Sequence, residues 1–465
     1  MAKYKGQGES VKKILPLPSS VTQVKTAVPA FIGYTEIAID VGGNSLLNEP
    51  KCIRSLTEYE SFFGFPFKEK GLEVSIDGDG TNPNSISATI EDISSYKMHY
   101  ALQMYFANGG GPCWIVSVGD YTMSELQFDE LKKGLDCTEK VDEITLYVYP
   151  DAQGLSTADD FYSLFGETMD MCTKLKDRFA VMDIWPEPNQ TDLIGNVDIM
   201  RNKTSPEEGK LKYGSTYFPD LETILDYYYG DSDVIIDHQG GDGSLNGTLA
   251  DLKSQNNALY IQAQQAIRDI PLIMPPSPGV VGVYAKVDAS RGVWKAAANV
   301  NIDYVIKPVI EITNEQQRGL NIDANAGKSV NAIRSFEGRG NALIWGARTL
   351  AGNSNEWRYI SVRRFFNMVE ESIKRASEQF VFERNDANTW VKVRAMIENY
   401  LMTLWRAGAL SGNTPENAYF VNVGLGQTMS AQDVLERKMI IEIGMAVVKP
   451  SEFIVLKFSQ RMAET

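Results

Sequence analysis

The sequence predicts a mixed α/β and α+β chain of several domains: an outer α/β domain with inserted loops, then a compact C-terminal α+β domain. Three observations carry this. Strand-like runs and amphipathic helical stretches alternate from residue 29 to about 185, the order of a sheet with substantial parallel pairing. The last 125 residues hold the strongest helical stripes, followed by short strand patterns. The length, 465 residues, exceeds what one hydrophobic core usually serves. The expected divisions are an N-terminal arm over 1–28, an α/β domain over 29–340 with inserts near 64–95 and 186–250, and a C-terminal domain over 341–465.

Residues 1–28 contain Gly6, Gly8, Pro16, Pro18 and five lysines, and only Ser20 to Val24 alternates like a strand. Such a segment has no core of its own. Its apolar residues, Ile14, Leu15, Leu17, Val21 and Val24, suit it to adding a strand to another sheet, and a frayed terminus is the other reading. From Val28 onward the pattern is regular. A helix is expected over 96–107, ending at Gly109-Gly110-Gly111, then a strand from Cys113 to Val118, a helix over 123–134 and a strand from Ile144 to Tyr149. Ser156-Thr157-Ala158-Asp159 has the form of a capping box and opens a helix to about Lys176, followed by a strand from Phe179 to Ile184. Residues 64–95, with Asp77-Gly78-Asp79-Gly80, and 186–247, rich in Pro, Asn, Gly and Asp, read as inserted loops. Val362, Phe365, Val369, Ile373, Ala376 and Phe380 share one helical face. Trp390, Val393, Ile397, Leu401 and Leu404 share another, on a helix ended by Gly408. Tyr419 to Val423 and Ile440 to Val448 read as strands around a short helix capped by Ser430, and Phe453 to Phe458 as a terminal strand.

Composition removes several function classes. The net charge is −15, which argues against sequence-independent nucleic-acid binding. Charge is uneven: residues 1–30 sum to +4, 31–328 to −22 and 329–465 to +3. This suggests that the termini belong to one region and that the acidic middle faces solvent, with plain solubility as the alternative. Two histidines, His99 and His238, are too few for a multi-histidine metal centre. Cys52, Cys113, Cys137 and Cys172 form no C-x-x-C pair and read as reduced core thiols. No apolar leader follows Met1 to Lys5, and the stretch Ile440 to Val448 is short and broken by Glu442, so neither a signal peptide nor a membrane span is expected.

No motif supplies an enzyme's chemistry. Asn108-Gly109-Gly110-Gly111-Pro112 precedes a strand and does not open a helix, so it is a poor phosphate cradle. Asp77 begins like a calcium loop, but Asn82 stands where glycine is required and Ala88 where glutamate is. There is no G-x-S-x-G elbow for a hydrolase. The basic cluster Arg348, Arg358, Arg363, Arg364, Lys374 and Arg375 is partly offset by Glu370 and Glu371 at i,i+4 spacing. It suits ion pairing with neighbouring protein, a solvated surface or, least, nucleic acid.

Several segments carry a family likeness. They are Thr26 to Gly33, Tyr105 to Val116, Gly282 to Asp288, Arg291 to Ala296, Arg334 to Gly340, Trp345 to Leu350, Trp357 to Arg364, Phe380 to Glu383, Trp405 to Leu410 and Lys449 to Phe453. Together they resemble the tail sheath proteins of contractile phages and of phage-tail-like contractile injection systems. The resemblance covers the first 35 residues, about 96–185, and nearly all of 271–465, and is weak over the two inserts. It implies a structural subunit, not an enzyme, with no cofactor and no metal. Such subunits stack as hexameric rings in a helix around an inner tube and contract to drive the tube through a target envelope. The implied partners are further copies of the chain, an inner tube protein, and baseplate and terminator proteins, with no nucleic acid and no membrane insertion. A terminator or baseplate component sharing the sheath core is the alternative. The resemblance further implies assembly in the bacterial cytoplasm and a sheet completed by arms of neighbouring subunits. Val21, Val24, Phe453, Val455 and Leu456 are then the arm contacts, and Arg363, Arg364, Lys374 and Arg375 the basic contacts to the tube.

Overall fold

The computed structural model describes residues 20–450, apart from 80–81, 124, 188–193, 205–206, 240–242 and 324. The chain divides into a larger unit, residues 25–368, and a smaller one, residues 369–448; of the other described residues, 20–24 group with the smaller and 449–450 with the larger.

The larger unit is built on an eight-stranded sheet. Its order is Gly340–Trp345, Asn331–Phe336, Gly214–Phe218, Phe179–Met182, Leu146–Val148, Pro29–Gly33, Cys113–Ser117 and Lys51–Ile53. The six inner strands are parallel and both edge strands antiparallel. Pro29–Gly33, Phe179–Met182 and Gly214–Phe218 are buried at every position, as strands covered on both faces must be. Side-chain alternation sorts them between two cores. Ala30, Ile32, Val116, Tyr147, Ala180 and Met182 pack under the helices Phe128–Cys137 and Ala158–Leu175. Phe31, Ile115, Leu146, Val148, Phe179 and Val181 pack under Leu56–Phe63, Met98–Ala107 and Ser277–Arg291. Thr157 caps its helix by accepting from the Asp160 amide, as its sequence indicated. The helix expected over 123–134 lies instead at Phe128–Cys137, because Asp120 accepts from the amide and hydroxyl of Thr122 and holds a turn there.

The two expected loops are a correction. Leu72–Asp79 and Asn82–Ile90 form a hairpin, and Ile235–Gln239, from the other insert, pairs parallel to the first of these strands. Gly247–Thr248 completes a four-stranded sheet. Leu72, Val74, Ile76 and Ile236 point to one face and pack on Leu249, Leu252, Leu259, Ala263 and Ile267 of the helices Leu249–Gln255 and Asn257–Arg268. The inserts therefore share a core of their own. A smaller antiparallel sheet, Leu272–Met274, Leu221–Thr223 and Val305–Pro308, also draws one strand from this region.

The smaller unit begins within the helix Ile360–Ser377 and continues into Ala387–Arg406. Val369, Ile373, Val393, Met396, Ile397, Leu401 and Leu404 are buried, which places the striped faces inward. Gly408, at φ 82°, takes a left-handed conformation just past the second helix. A two-stranded ribbon follows, Tyr419–Asn422 against Glu442–Met445, with Ala431–Leu435 between them under a Ser430 capping box.

Candidate functional site

Doubly wound sheets hold their ligands at the carboxyl ends of the strands, with anions on helix amides. Here that edge is taken by the chain's own carboxylates. Asp151, just past Leu146–Val148, accepts from the Tyr34 amide (2.7 Å) and, at the start of Met98–Ala107, from the Lys97 amide (2.6 Å). A Cβ on Gly33 would lie 2.2 Å from an Asp151 oxygen, so only glycine fits there. Asp183, past Phe179–Met182, accepts from the amide (2.9 Å) and hydroxyl (2.5 Å) of Ser277, where Ser277–Arg291 begins. Burial pushes Asp151 up to about 7 and Asp183 up to about 8. Asp220, bonded to Gln153, is pushed up to about 6 by the same cause. Asp151 and Asp183 fasten helix starts to strand ends and leave those amides occupied.

Both histidines are held by structural contacts. His99 bridges Glu60 and Gln103 at 3.0 Å each, and burial lowers its pKa. His238 meets the Gly78 carbonyl at 2.9 Å.

The most elaborate polar arrangement surrounds the root of the N-terminal arm. Residues 20–28 carry no strand or helix. At Thr26 the chain becomes tightly held. Its carbonyl accepts from Arg364 Nη2 (3.0 Å) and from Thr145 Oγ1 (2.9 Å), while its hydroxyl donates to Asp288 Oδ2 (2.6 Å). Thr145 Oγ1 accepts in turn from the Val28 amide at 2.9 Å. Arg364 and Asp288 form a two-pronged ion pair with side chains only 5% and 6% exposed, and the guanidinium lies 4.4 Å from the Tyr284 ring centre. Asp288 sits on Ser277–Arg291 and Arg364 on Ile360–Ser377.

The residues expected to make contacts are placed as follows. Val21 and Val24 are half-buried, and the Val24 amide donates to Ser372 Oγ at 3.0 Å. Phe453, Val455 and Leu456 lie outside the described residues. Arg363 and Arg364 are buried on their own chain, a correction to their expected exposure. Arg363 lies against the rings of Trp357, Tyr213 and Phe366 at 4.4, 5.0 and 5.7 Å and donates to Asn367 Oδ1. Lys374 and Arg375, 68% and 38% exposed, both pair with Glu371. Arg348 is likewise buried, its guanidinium on the Asn321 carbonyl. Sequence reading missed Asp288 and Thr145. The available signal was an acid, Asp288, four residues after Tyr284 on a helix whose neighbouring Val280, Val281, Val283 and Val287 are apolar.

In the smaller unit, no third strand adjoins the ribbon Tyr419–Asn422/Glu442–Met445 among the described residues. Beyond it, Ala446 to Val448 pair with Ala409 to Ser411. Phe420 lies over Gly444 opposite, where a Cβ would approach its ring to 2.1 Å, and is 49% exposed. No helix among the described residues is long and apolar enough to cross a membrane.

Comparison with known proteins gives these features a context. Residues 353–461 match the phage tail sheath C-terminal domain. Over 99% of both chains, the protein is 30% identical to a solved sheath chain of the extracellular contractile injection system PVC in its contracted state, with a TM-score of 0.66. It is 29% identical to the anti-feeding prophage helical sheath in its contracted state, again over 99% of both chains, with a TM-score of 0.64. It is also 26% identical to the tail sheath protein of Vibrio phage KVP40 over 186 residues, which are 40% of this chain and 26% of that protein's length. Fold and full-length similarity define a contractile sheath subunit. The chain belongs to the tail sheath family of contractile phage tails and phage-tail-like injection systems.

Proposed function

We propose that this protein polymerises with copies of itself as stacked hexameric rings in a helix around an inner tube, and that the sheath shortens to drive the tube through a target envelope. The observation that carries this reading is the ribbon Tyr419–Asn422/Glu442–Met445, a two-stranded sheet lacking a third strand among the described residues, in a chain whose residues 20–28 are held at Thr26 without pairing as a strand. A two-stranded ribbon is marginal alone and is stabilised when further strands join it. Arm residues around Val21 and Val24, and the segment containing Phe453, Val455 and Leu456, are proposed to supply those strands to neighbouring copies. A heterologous contact of this kind does not close on itself and generates a helix of subunits. Residues 341–465 are proposed as the inner domain, with Lys374 and Arg375 as its tube-facing cations and baseplate and terminator proteins at the ends of the sheath. The work of contraction then comes from two lattice packings of different free energy, so the protein acts mechanically and not as an enzyme.

The test is negative-stain electron microscopy of the chain expressed alone and with its tube protein. Striated hollow cylinders are expected, and deleting residues 1–20 should abolish them while folded monomer remains. Monomers or single closed rings under both conditions would overturn the reading in favour of a terminator or baseplate part.

A further inference from the structure

A buried ion pair is an expensive way to hold a fold together, because desolvation of both charges offsets most of their attraction. Arg364 and Asp288 are nonetheless buried together, and both reach beyond each other to the same residue, Thr26. Its carbonyl receives a second donor, Thr145 Oγ1, whose oxygen also takes the Val28 amide. Four hydrogen bonds thus converge on two residues of the arm, Thr26 and Val28, immediately before Pro29 enters the interior of the eight-stranded sheet. Lys25, one residue earlier, is exposed.

We propose that Asp288, Arg364 and Thr145 form a clamp that fixes the point at which the N-terminal arm leaves the body, so that tension along the arm is delivered to the helices Ser277–Arg291 and Ile360–Ser377. Without it, a pull on the arm would act directly on Pro29–Gly33, separating its hydrogen bonds to Leu146–Val148 and Cys113–Ser117 in turn from the end. With it, the load is stopped at Thr26, where bonds from two helices and from Thr145 must break together. Asp288, Arg364 and Thr145 are positioning residues for the arm. This inference rests on the reading that the arm engages a neighbouring subunit.

The test avoids stranding a buried charge. Thr26→Val keeps the shape and removes the donor to Asp288, leaving the Arg364–Asp288 pair intact; Thr145→Val removes the other threonine. Trypsin cleavage between Lys25 and Thr26 in the monomer, followed by mass spectrometry of the new N-terminus, reads local opening of the arm root. The double variant loses three of the four hydrogen bonds, one of them to a carboxylate, and is expected to be cut at least about tenfold faster. Its global melting temperature should stay close to wild type, and its yield of sheath, scored by electron microscopy, should fall. Cleavage at the wild-type rate would overturn the clamp, and so would faster cleavage with undiminished sheath yield. If wild-type chains form no sheath at all, the assembly reading fails by itself, while the proteolysis result still reports whether the root is held.

Discussion

Arg363 and Arg364 are adjacent on one helix, so their side chains leave its axis about 100° apart and enter different surroundings. Arg364 neutralises Asp288, and Arg363 lies among three aromatic rings with Asn367 as one of its polar partners. A carboxylate at 363 would face the negative ring surfaces and the Asn367 carbonyl. Arg363→Glu is therefore expected to destabilise the fold by about 3–5 kcal/mol, and Arg363→Met by less, as measured from urea midpoints. Equal stability of the Glu variant and wild type would refute this packing. The residue scale also carries a pH dependence. Asp183 has a pKa pushed up to about 8 by burial, against roughly 3.9 in an unfolded chain. Between those values the folded protein holds a proton that the unfolded chain releases. This contribution to stability is full below about pH 4 and is lost as pH rises through 8. Asp183→Asn should flatten the fall of melting temperature between pH 4 and 8. It will not abolish that fall, since Asp151 and Asp220 shift in the same direction. An unchanged slope would show that Asp183 does not titrate in this range. None of this is legible in the sequence, where two arginines in a row look the same whether they face water, a ring or a carboxylate.

At the scale of elements, packing distances decide which residues are replaceable. Ser277–Arg291 lies so close to Met98–Ala107 that a Cβ on Gly282 would sit 2.6 Å from the Tyr105 carbonyl oxygen and 2.7 Å from Asn108 Cβ. Since the nearest obstacle is main chain, it cannot swing aside. Gly282→Ala should cost about 1–3 kcal/mol by forcing the helices apart, although the same change raises helix propensity. A Gly282→Ala protein as stable as wild type would mean that the helices pack more loosely than this. Elements with strong local signals were readable: the Thr157 cap, the two striped helices and the parallel strands around Cys113 and Phe179 lie close to where the sequence indicated. Leu72–Asp79 was not, although Leu72, Val74 and Ile76 alternate as a half-buried strand should, because Gly78 and its acidic neighbours suggested a loop. Those residues form the end of a hairpin, a place where turn chemistry and strand coexist. The arm root was half legible. The segment containing Thr26 carries part of the family likeness, but the partners that hold it, Thr145, Asp288 and Arg364, lie 119, 262 and 338 residues away and nothing local announces them.

Over the whole molecule, the distribution of charge and the pairing of the inserts qualify what a linear reading suggests. Of the basic residues after residue 329, Arg348, Arg363 and Arg364 are buried, and the exposed Lys374 and Arg375 share one carboxylate, Glu371. The two inserts, read separately as surface decorations, cannot be treated separately in an experiment. Ile235–Gln239 takes all of its parallel partners from Leu72–Asp79, and Leu249, Leu252 and Leu259 close a core whose other wall is Leu72, Val74 and Ile76. Excising residues 72–90 alone would strip two strands from a four-stranded sheet and leave Ile236 and the helices Leu249–Gln255 and Asn257–Arg268 with an uncovered apolar face. That variant should bind a hydrophobic dye strongly and aggregate on concentration, even though every residue removed belongs to a stretch with loop-like composition. Deleting residues 1–20, a segment of similar length, should leave a monomer that does neither. The contrast is the informative part, because it separates a segment that completes its own chain's core from one proposed to serve a neighbour's sheet. A soluble, dye-silent chain lacking 72–90 would show that the two inserts fold independently of each other.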